Sequence, residues 1–279
     1  MSQSNLTQQK IEHQTAPWIR RLARFGYATK AVVYMLSGIL AVQAAFNWGG
    51  KTTGSEGVLR TIAAQPFGQI LLFLVGAGLI GYIVWRLVQA VRDPEHEGND
   101  WSDVFRRLGY AASGLIYGGL AMSAFRLALG GSQSSGGGSS STQSMASKLL
   151  AQPMGRWLVG AAGAFVIGLA FYYFYRAISA KFRAKLRIND LDRDTKQGLI
   201  RLCQFGIAAR GVVFAVIGGY LIRAALLSDS SKARSTAGAL DAMEYFPFGR
   251  WVLAVVAVGL VAYGVYMGVQ ARYRRIEAA

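Results

Sequence analysis

Two basic side chains lie inside long apolar stretches of the sequence, where a charge is difficult to bury. Lys30 and Arg210 each follow the start of a similar segment by six residues, and Ser113 holds the same place in a third segment. Ionisable residues within membrane helices are costly and often functional. If the segments pack around a common axis, the three side chains form a polar tier that attracts an anion. The alternative, which we expect, is snorkelling, in which a long stem lies along the helix and its charge reaches the headgroups.

A second polar set follows three Pro-x-Gly triplets and consists of Gln69, Arg156 and Arg250. A cation at the N-terminus of a helix opposes the helix macrodipole and therefore needs a partner there. Phosphate headgroups are the simplest partner, and a bound outer ligand is the alternative.

Stronger chemical motifs are absent from the sequence. The apolar stretches hold no Asp, Glu or His, and the spacing of the acidic run around His96 matches no defined metal site. The Gly/Ser-rich residues 130–144 lack the Gly-x4-Gly-Lys-Ser/Thr pattern of a phosphate loop and are typical of a flexible linker. Cys203 is the only cysteine, which we expect to be a small packed residue. The sequence thus predicts no enzyme, no metal site and no cofactor.

Six apolar stretches supply the elements that would position these side chains. Hydrophobic residues make up 53% of the 279 residues and charged residues only 16%. Each stretch is near the roughly 20 residues that cross a bilayer core. They cover residues 25–46, 66–85, 108–125, 157–175, 202–222 and 251–271, the third being the shortest and least apolar. Aromatic residues toward the ends of the even-numbered stretches predict an interfacial belt: Tyr82, Trp85, Tyr172, Tyr175, Tyr263 and Tyr266.

Basic residues fall unevenly on the two sides of such a membrane protein. The side that holds both termini has 19 Lys and Arg residues, and the other side has 9. The positive-inside rule therefore predicts that both termini lie in the cytoplasm, and the membrane we expect is the plasma (inner) membrane. The net charge of +16 does not indicate nucleic-acid binding, because the bases flank apolar segments instead of sharing one soluble surface. The basic residues 176–201 are expected to be a topology signal and a solvated linker, and contact with anionic lipids at the cytoplasmic face is the alternative.

The six stretches form three copies of one helix-pair unit. Segments that begin at Arg24, Arg107 and Gln204 align without gaps and open the odd-numbered stretches, and a Pro-x-Gly triplet opens each even-numbered one. The first Gly precedes the Pro by 40, 44 and 41 residues. Pro fits the first turn of a helix, and short outer helices are expected before each triplet, near residues 58–64, 146–151 and 239–246. The positions with predicted helix-turn roles are Gly26, Pro66, Gly68, Gly109, Pro153, Gly155, Gly206, Pro247 and Gly249.

This pattern resembles the bacterial membrane family called domain of unknown function 1206, over nearly all of residues 20–275. The resemblance implies a triplicated helix pair and supplies no catalytic residues. The predicted fold is all-α, a polytopic bundle of six transmembrane helices with pseudo-threefold symmetry. A polar cytoplasmic N-terminus (residues 1–19) precedes membrane repeats at residues 20–92, 103–187 and 198–275, the second of which contains the Gly/Ser-rich outer loop 130–144.

Two functions fit these observations. The first is a non-catalytic scaffold or partner-binding protein in the lipid bilayer, whose membrane-protein partner is unidentified. The second is a channel or transporter for a small anion or neutral solute, which needs polar residues along a path, and only the Lys30, Ser113 and Arg210 tier offers them. A continuous polar cavity would favour transport, and a closed glycine-packed centre would favour the scaffold.

Overall fold

The structure is a computed structural model that describes residues 17–92, 101–131, 138–180, 182–183, 186 and 192–274. The acidic run around His96 and all of the predicted N-terminal segment before residue 17 lie outside these residues. Within them the fold is all-α, and the described part of the chain has no strand beyond an isolated bridge between Leu186 and Arg274.

Each copy of the repeat contributes two long helices with a short helix between them. The long helices are α1 (Pro17–Ala45), α3 (Gly68–Arg92), α4 (Trp101–Ala128), α6 (Gly155–Ser179), α7 (Arg193–Leu227) and α9 (Gly249–Tyr273). The short helices are α2 (Ser55–Ala63), α5 (Gly138–Leu150) and α8 (Thr236–Glu244), with a 3₁₀ turn at Ser230–Lys232. The short helices predicted before each Pro-x-Gly triplet are therefore present.

Five helices in the described part of the chain are long and apolar enough to cross a membrane: α1, α3, α6, α7 and α9. The sixth long helix, α4, is of similar length, but its glycines, serines and Arg126 make it less apolar. Backbone groups in hydrocarbon must be hydrogen-bonded within the segment, which a continuous helix achieves. The apolar helices thus indicate a multi-pass membrane protein.

The Pro-x-Gly triplets form tight turns between the short and long helices. The glycine N–H donates to the carbonyl of the residue before the proline, over 2.9 Å from Gly68 to Gln65 and 2.7 Å from Gly249 to Phe246. The middle residue is left-handed in each copy, as in a type II turn with proline at its second position: Phe67 (φ 62°), Met154 (φ 65°) and Phe248 (φ 57°). The prolines therefore lie two residues before the long helices, in the turn itself, and our placement of them in the first helical turn was wrong.

The glycine of each triplet is required by a close contact with the preceding short helix. A Cβ added to Gly68, Gly155 or Gly249 would come closer than 3.0 Å to carbonyl oxygens at the end of α2, α5 or α8. Real Cβ atoms essentially never approach an atom so closely, and backbone atoms cannot move aside as a flexible side chain does. The triplet therefore fixes the angle at which each long helix leaves its short helix.

Long helices of different copies pack against each other in a repeated arrangement. The first long helix of one copy packs on the second long helix of another, in the pairs α1 with α9, α4 with α3, and α7 with α6. Within a copy, α1 packs on α3 and α7 packs on α9. The first residue of the repeat segment joins two such pairs. Arg107 donates to the Ala90 and Val91 carbonyls at the end of α3, over 2.8 and 2.9 Å, and Gln204 donates to the Ala177 carbonyl in α6, over 2.7 Å.

The three short helices meet at one end of the bundle, which we call the cap end. There α5 packs on both α2 and α8. Thr52, in the segment before α2, donates a hydrogen bond to Asp241 of α8. Burial raises the pKa of the Asp241 carboxyl above its usual range.

The prediction that residues 130–144 form a flexible linker is wrong in part, because α5 begins at Gly138. Gln143 donates a hydrogen bond to the Ser231 carbonyl over 3.2 Å, and this contact holds the polar segment against the 3₁₀ turn.

Candidate functional site: a basic cluster among tyrosines

Lys30 lies inside the bundle, about halfway along α1. Only 3% of its surface is exposed. Its Nζ lies 4.0 Å from the centre of the Tyr82 ring and 4.1 Å from the centre of the Tyr117 ring. These rings come from α3 and α4, so the ammonium group is held between two neighbouring helices and not at a headgroup layer. Our prediction that Lys30 snorkels is therefore wrong.

Arg210, at the same repeat position on α7, is also held by aromatic rings. Its guanidinium carbon lies 4.6 Å from the centre of the Tyr34 ring, 4.7 Å from Phe214 and 4.9 Å from Tyr263. It donates a hydrogen bond to the Tyr34 hydroxyl, and its Nε lies 3.4 Å from the Tyr173 hydroxyl. Arg210 thus interacts with side chains from α1, α6 and α9, all within the bundle.

Tyrosine hydroxyls join the members of the predicted polar tier. Tyr34, which accepts from Arg210, shares a 2.7 Å hydrogen bond with Tyr117, one of the two rings around Lys30. Ser113 Oγ lies 3.4 Å from the hydroxyl of Tyr82, the other ring. The three repeat-related positions therefore converge on one group of tyrosines, although they make no direct contact with each other.

Two further arginines extend this group away from the cap end. Arg86 donates from Nε to the Tyr82 hydroxyl over 2.6 Å, and its guanidinium carbon lies 4.8 Å from the Tyr110 ring centre. Arg176 donates to the Tyr266 hydroxyl over 2.5 Å. We call the whole set the basic cluster, which consists of Lys30, Arg86, Arg176 and Arg210 with Ser113, Tyr34, Tyr82, Tyr117, Tyr173, Tyr263 and Tyr266.

The basic cluster has an uncompensated positive charge among the described residues. Its partners are π faces, hydroxyls and the amide oxygen of Gln89, which accepts from Arg86 over 3.0 Å, and no carboxylate of the described chain pairs with any of its four bases. Helices α3, α6 and α9 contain no acidic residue, and the acidic residues of α4 and α7 lie in their first turns. A cation–π contact contributes about 2 kcal/mol or more when desolvated, whereas each buried ion loses several kcal/mol of solvation. The arrangement would therefore gain from an anion.

The second predicted polar set lies near the cap end, and its members do not converge. Arg250 donates from Nε to the Ala45 carbonyl over 2.9 Å, at the C-terminal end of α1. A cation is favourable at that end of a helix, so the unfavourable start of α9 is offset by the neighbouring helix. Gln69 and Arg156 are exposed, and their predicted contacts with headgroups or an outer ligand stay predictions.

The sequence interpretation did not assign the tyrosines to this cluster. It placed Tyr82, Trp85, Tyr263 and Tyr266 in an interfacial belt, but their exposed fractions are 0%, 1%, 3% and 1%. Only Tyr172 and Tyr175 of that set are exposed, at 45% and 54%. One signal was available: Tyr34 and Tyr117 close the same repeat segment that carries Lys30 and Ser113, one helical turn further on.

These helices and their triple repeat define a multi-pass α-helical membrane protein built from three tandem helix pairs. The family model described as Domain of Unknown Function (DUF1206) matches residues 25–93, 108–180 and 205–274, so the chain belongs to this family. A relative described as an uncharacterized protein, YxxB of Bacillus subtilis (strain 168), is 34% identical over 267 residues, which cover 96% of this chain and 95% of the relative. No solved structure matches the chain.

Proposed function

We propose that all six long helices span a bacterial plasma membrane in a pseudo-threefold bundle, with the cap end outside and both termini in the cytoplasm. The support for α4 as the sixth span is its packing on α3, which matches that of α1 on α9 and of α7 on α6. The support for the orientation is the count of 19 basic residues against 9 on the two sides.

We further propose that the protein is a non-catalytic anion-binding membrane protein whose site is the basic cluster. The observation that carries this proposal is that the buried Lys30 and the half-buried Arg210 face the same Tyr34 ring, 5.9 and 4.6 Å from its centre, without a carboxylate partner among the described residues. Two like charges about 10 Å apart repel by about 1.7 kcal/mol at an effective dielectric constant of about 20. An anion that lies near both bases attracts each of them, and these two attractions offset the repulsion between the bases.

Binding fits the packing better than passage through the protein does. Between the basic cluster and the cap end, helices approach through glycine: a Cβ on Gly38 would come within 2.8 Å of the Ala257 carbonyl, and one on Gly163 within 2.9 Å of the Ile222 nitrogen. Close approach of this kind leaves little room for a polar path. It is also what the scaffold interpretation expects, so partner binding stays a prediction alongside anion binding.

The test is anion binding by the purified full-length protein in a non-ionic detergent. Inorganic phosphate and sulfate are titrated while the thermal midpoint Tm is recorded and retained anions are identified by native mass spectrometry. We expect either anion to raise Tm in the wild type and to lose at least tenfold in affinity when Lys30 and Arg210 are both replaced by Gln. The matched control is Arg223→Gln, because Arg223 is exposed on the same helix as Arg210. Equal responses of all three proteins would refute an anion site at the cluster.

A further inference from the structure

The second copy of the repeat differs from the other two because its long helices do not close on each other. In copies one and three the paired helices cross at a glycine: a Cβ on Gly26 would come within 2.5 Å of the Tyr82 nitrogen, and one on Gly206 would also meet the Tyr263 nitrogen. The equivalent Gly109 of α4 has no described atom within 4 Å of such a Cβ. Among the helix pairs of the described chain that pack extensively, α4 with α6 is missing.

Side chains at equivalent repeat positions show that both α4 and α6 lack a neighbour where the other two copies have one. On α4, Ile116 is 72% exposed, whereas its repeat equivalents Val33 and Val213 are 2% and 3% exposed. On α6, Tyr172 is 45% exposed, whereas Trp85 and Tyr266 are each 1% exposed. Sequence position in the repeat is the same in each comparison, so the difference comes from the missing neighbour and not from the place along the helix. We call the space between α4 and α6 the lateral gap.

The lateral gap is bordered by the two helices that bring polar side chains to the basic cluster from copy two. Ser113 and Tyr117 come from α4, and Tyr173 and Arg176 come from α6. At the cap end, α5 covers the bundle together with α2 and α8. On the other side of the cluster, the buried Phe182 packs on Tyr266 with ring centres 5.4 Å apart. The two helices that border the gap therefore also contribute side chains to the cluster.

We propose that the lateral gap admits an anionic phospholipid, whose phosphate binds the basic cluster and whose acyl chains lie along the apolar rim. This inference rests on the proposed anion site and names the source of the anion. Three observations favour a lipid: the bases have no carboxylate partner in the described chain, the apolar Ile116 and Phe171 are exposed on the two helices beside the gap, and both helices also contribute side chains to the cluster. Phosphate and guanidinium groups form strong charge-assisted hydrogen bonds.

The test compares lipid and free phosphate on the delipidated full-length protein and on a variant that fills the gap. Gly109→Phe adds a ring where no described atom lies within 4 Å, and Gly219→Phe is its control, since Gly219 of α7 is equally open and faces outward. Phosphatidylglycerol, phosphatidylcholine and inorganic phosphate are each added, and bound lipid is counted by native mass spectrometry together with Tm.

We expect the wild type and Gly219→Phe to retain one phosphatidylglycerol at least tenfold more tightly than phosphatidylcholine. Gly109→Phe should lose this preference and should still bind inorganic phosphate. If the wild type binds phosphate and does not prefer phosphatidylglycerol, the lipid inference is wrong and the anion site stands. If it binds neither, both proposals fail. Dimers of the wild type that Gly109→Phe dissociates would show that a second copy fills the gap, which also overturns the inference.

Discussion

Replacing Lys30 by Met tests whether the basic cluster exists to bind an anion. Met preserves most of the apolar volume of the stem and removes the charge. The buried ammonium loses several kcal/mol of solvation, and its contacts with the Tyr82 and Tyr117 rings return about 2 kcal/mol each. The charges of Lys30 and Arg210 lie 5.9 and 4.6 Å from the centre of the Tyr34 ring, so they are at most about 10 Å apart and their repulsion subtracts about 1.7 kcal/mol or more. Without an anion the terms nearly cancel, so we expect Lys30→Met to change the free energy of unfolding by no more than about 2 kcal/mol.

The charge of Lys30 should stabilise the protein when the anion is present. An anion about 4 Å from the ammonium attracts it by about 4 kcal/mol at an effective dielectric constant of about 20. A ligand at 100 times its dissociation constant stabilises the folded protein by about 2.7 kcal/mol, which corresponds to a rise in Tm of about 5–10 °C for a protein of this size. We therefore expect the wild type to gain this much with phosphatidylglycerol and Lys30→Met to gain less than about 2 °C.

The assay is thermal unfolding of both proteins in neutral detergent, with and without phosphatidylglycerol, followed by tyrosine and tryptophan fluorescence. Lys51→Met is the control for removing a lysine, because Lys51 is exposed in the segment before α2. A loss of several kcal/mol by Lys30→Met in the absence of any anion would refute the reasoning, since it would show that the aromatic rings alone stabilise the charge.

Four further outcomes are expected. Gly26→Ala and Gly206→Ala should each lower Tm by several degrees while Gly109→Ala leaves it within about 2 °C, because only the first two glycines meet backbone atoms of the neighbouring helix; equal losses at all three would contradict the open second copy. Gly249→Ala should lower Tm more than Gly219→Ala, because the new Cβ at position 249 would meet the Glu244 carbonyl. Similar unfolding curves of the two variants would show that the glycine of the Pro-x-Gly turn is not required by this contact. Burial raises the pKa of the Asp241 carboxyl, so the stability of the folded protein should fall as the pH rises from about 4 through that raised pKa. Asp241→Asn should remove this fall in stability, and a variant with the same pH profile as the wild type would contradict the prediction. Reporter fusions at the C-terminus and in residues 176–201 should report cytoplasm and fusions in residues 130–145 the outside, and a C-terminal signal from outside would reverse the orientation.

The architecture was predictable because its determinants are local in the sequence. Long apolar stretches, and triplets in which Pro66, Pro153 and Pro247 precede a glycine at near-constant spacing, indicate helix pairs without knowledge of any contact. The triplets correspond to one turn geometry in all three copies, with a left-handed middle residue each time. What they could not give is the exact start of each long helix, which depends on contact between the glycine and the carbonyls of the preceding helix.

The site was predictable only in part because it depends on contacts between copies. Lys30, Ser113 and Arg210 could be grouped by repeat position, but whether their heads turn inward depends on which helices are neighbours. Tyr82 near the end of an apolar stretch has the composition of an interfacial residue. It is buried because α4 packs over α3, a contact that links different copies. Periodicity within one helix contains no information about such a neighbour.

The second copy differs from the other two at the position where the paired helices pack together and at the position that carries a base. Where copies one and three carry Tyr82 and Tyr263, counted from the proline of the triplet, copy two carries Leu169, and Ser113 replaces a base. Tyr82 and Tyr263 lie where Gly26 and Gly206 meet the backbone of the partner helix, so the same position both closes the pair and adds a hydroxyl-bearing ring to the cluster. A third base at position 113 would increase the repulsion among Lys30, Arg86 and Arg210. Copy two lacks the base and the ring at these two positions, but it contributes Arg176 from α6, where copies one and three carry Gln89 and Gln270. The open side of the bundle therefore keeps a positive charge, and this is the side from which we propose that the ligand approaches.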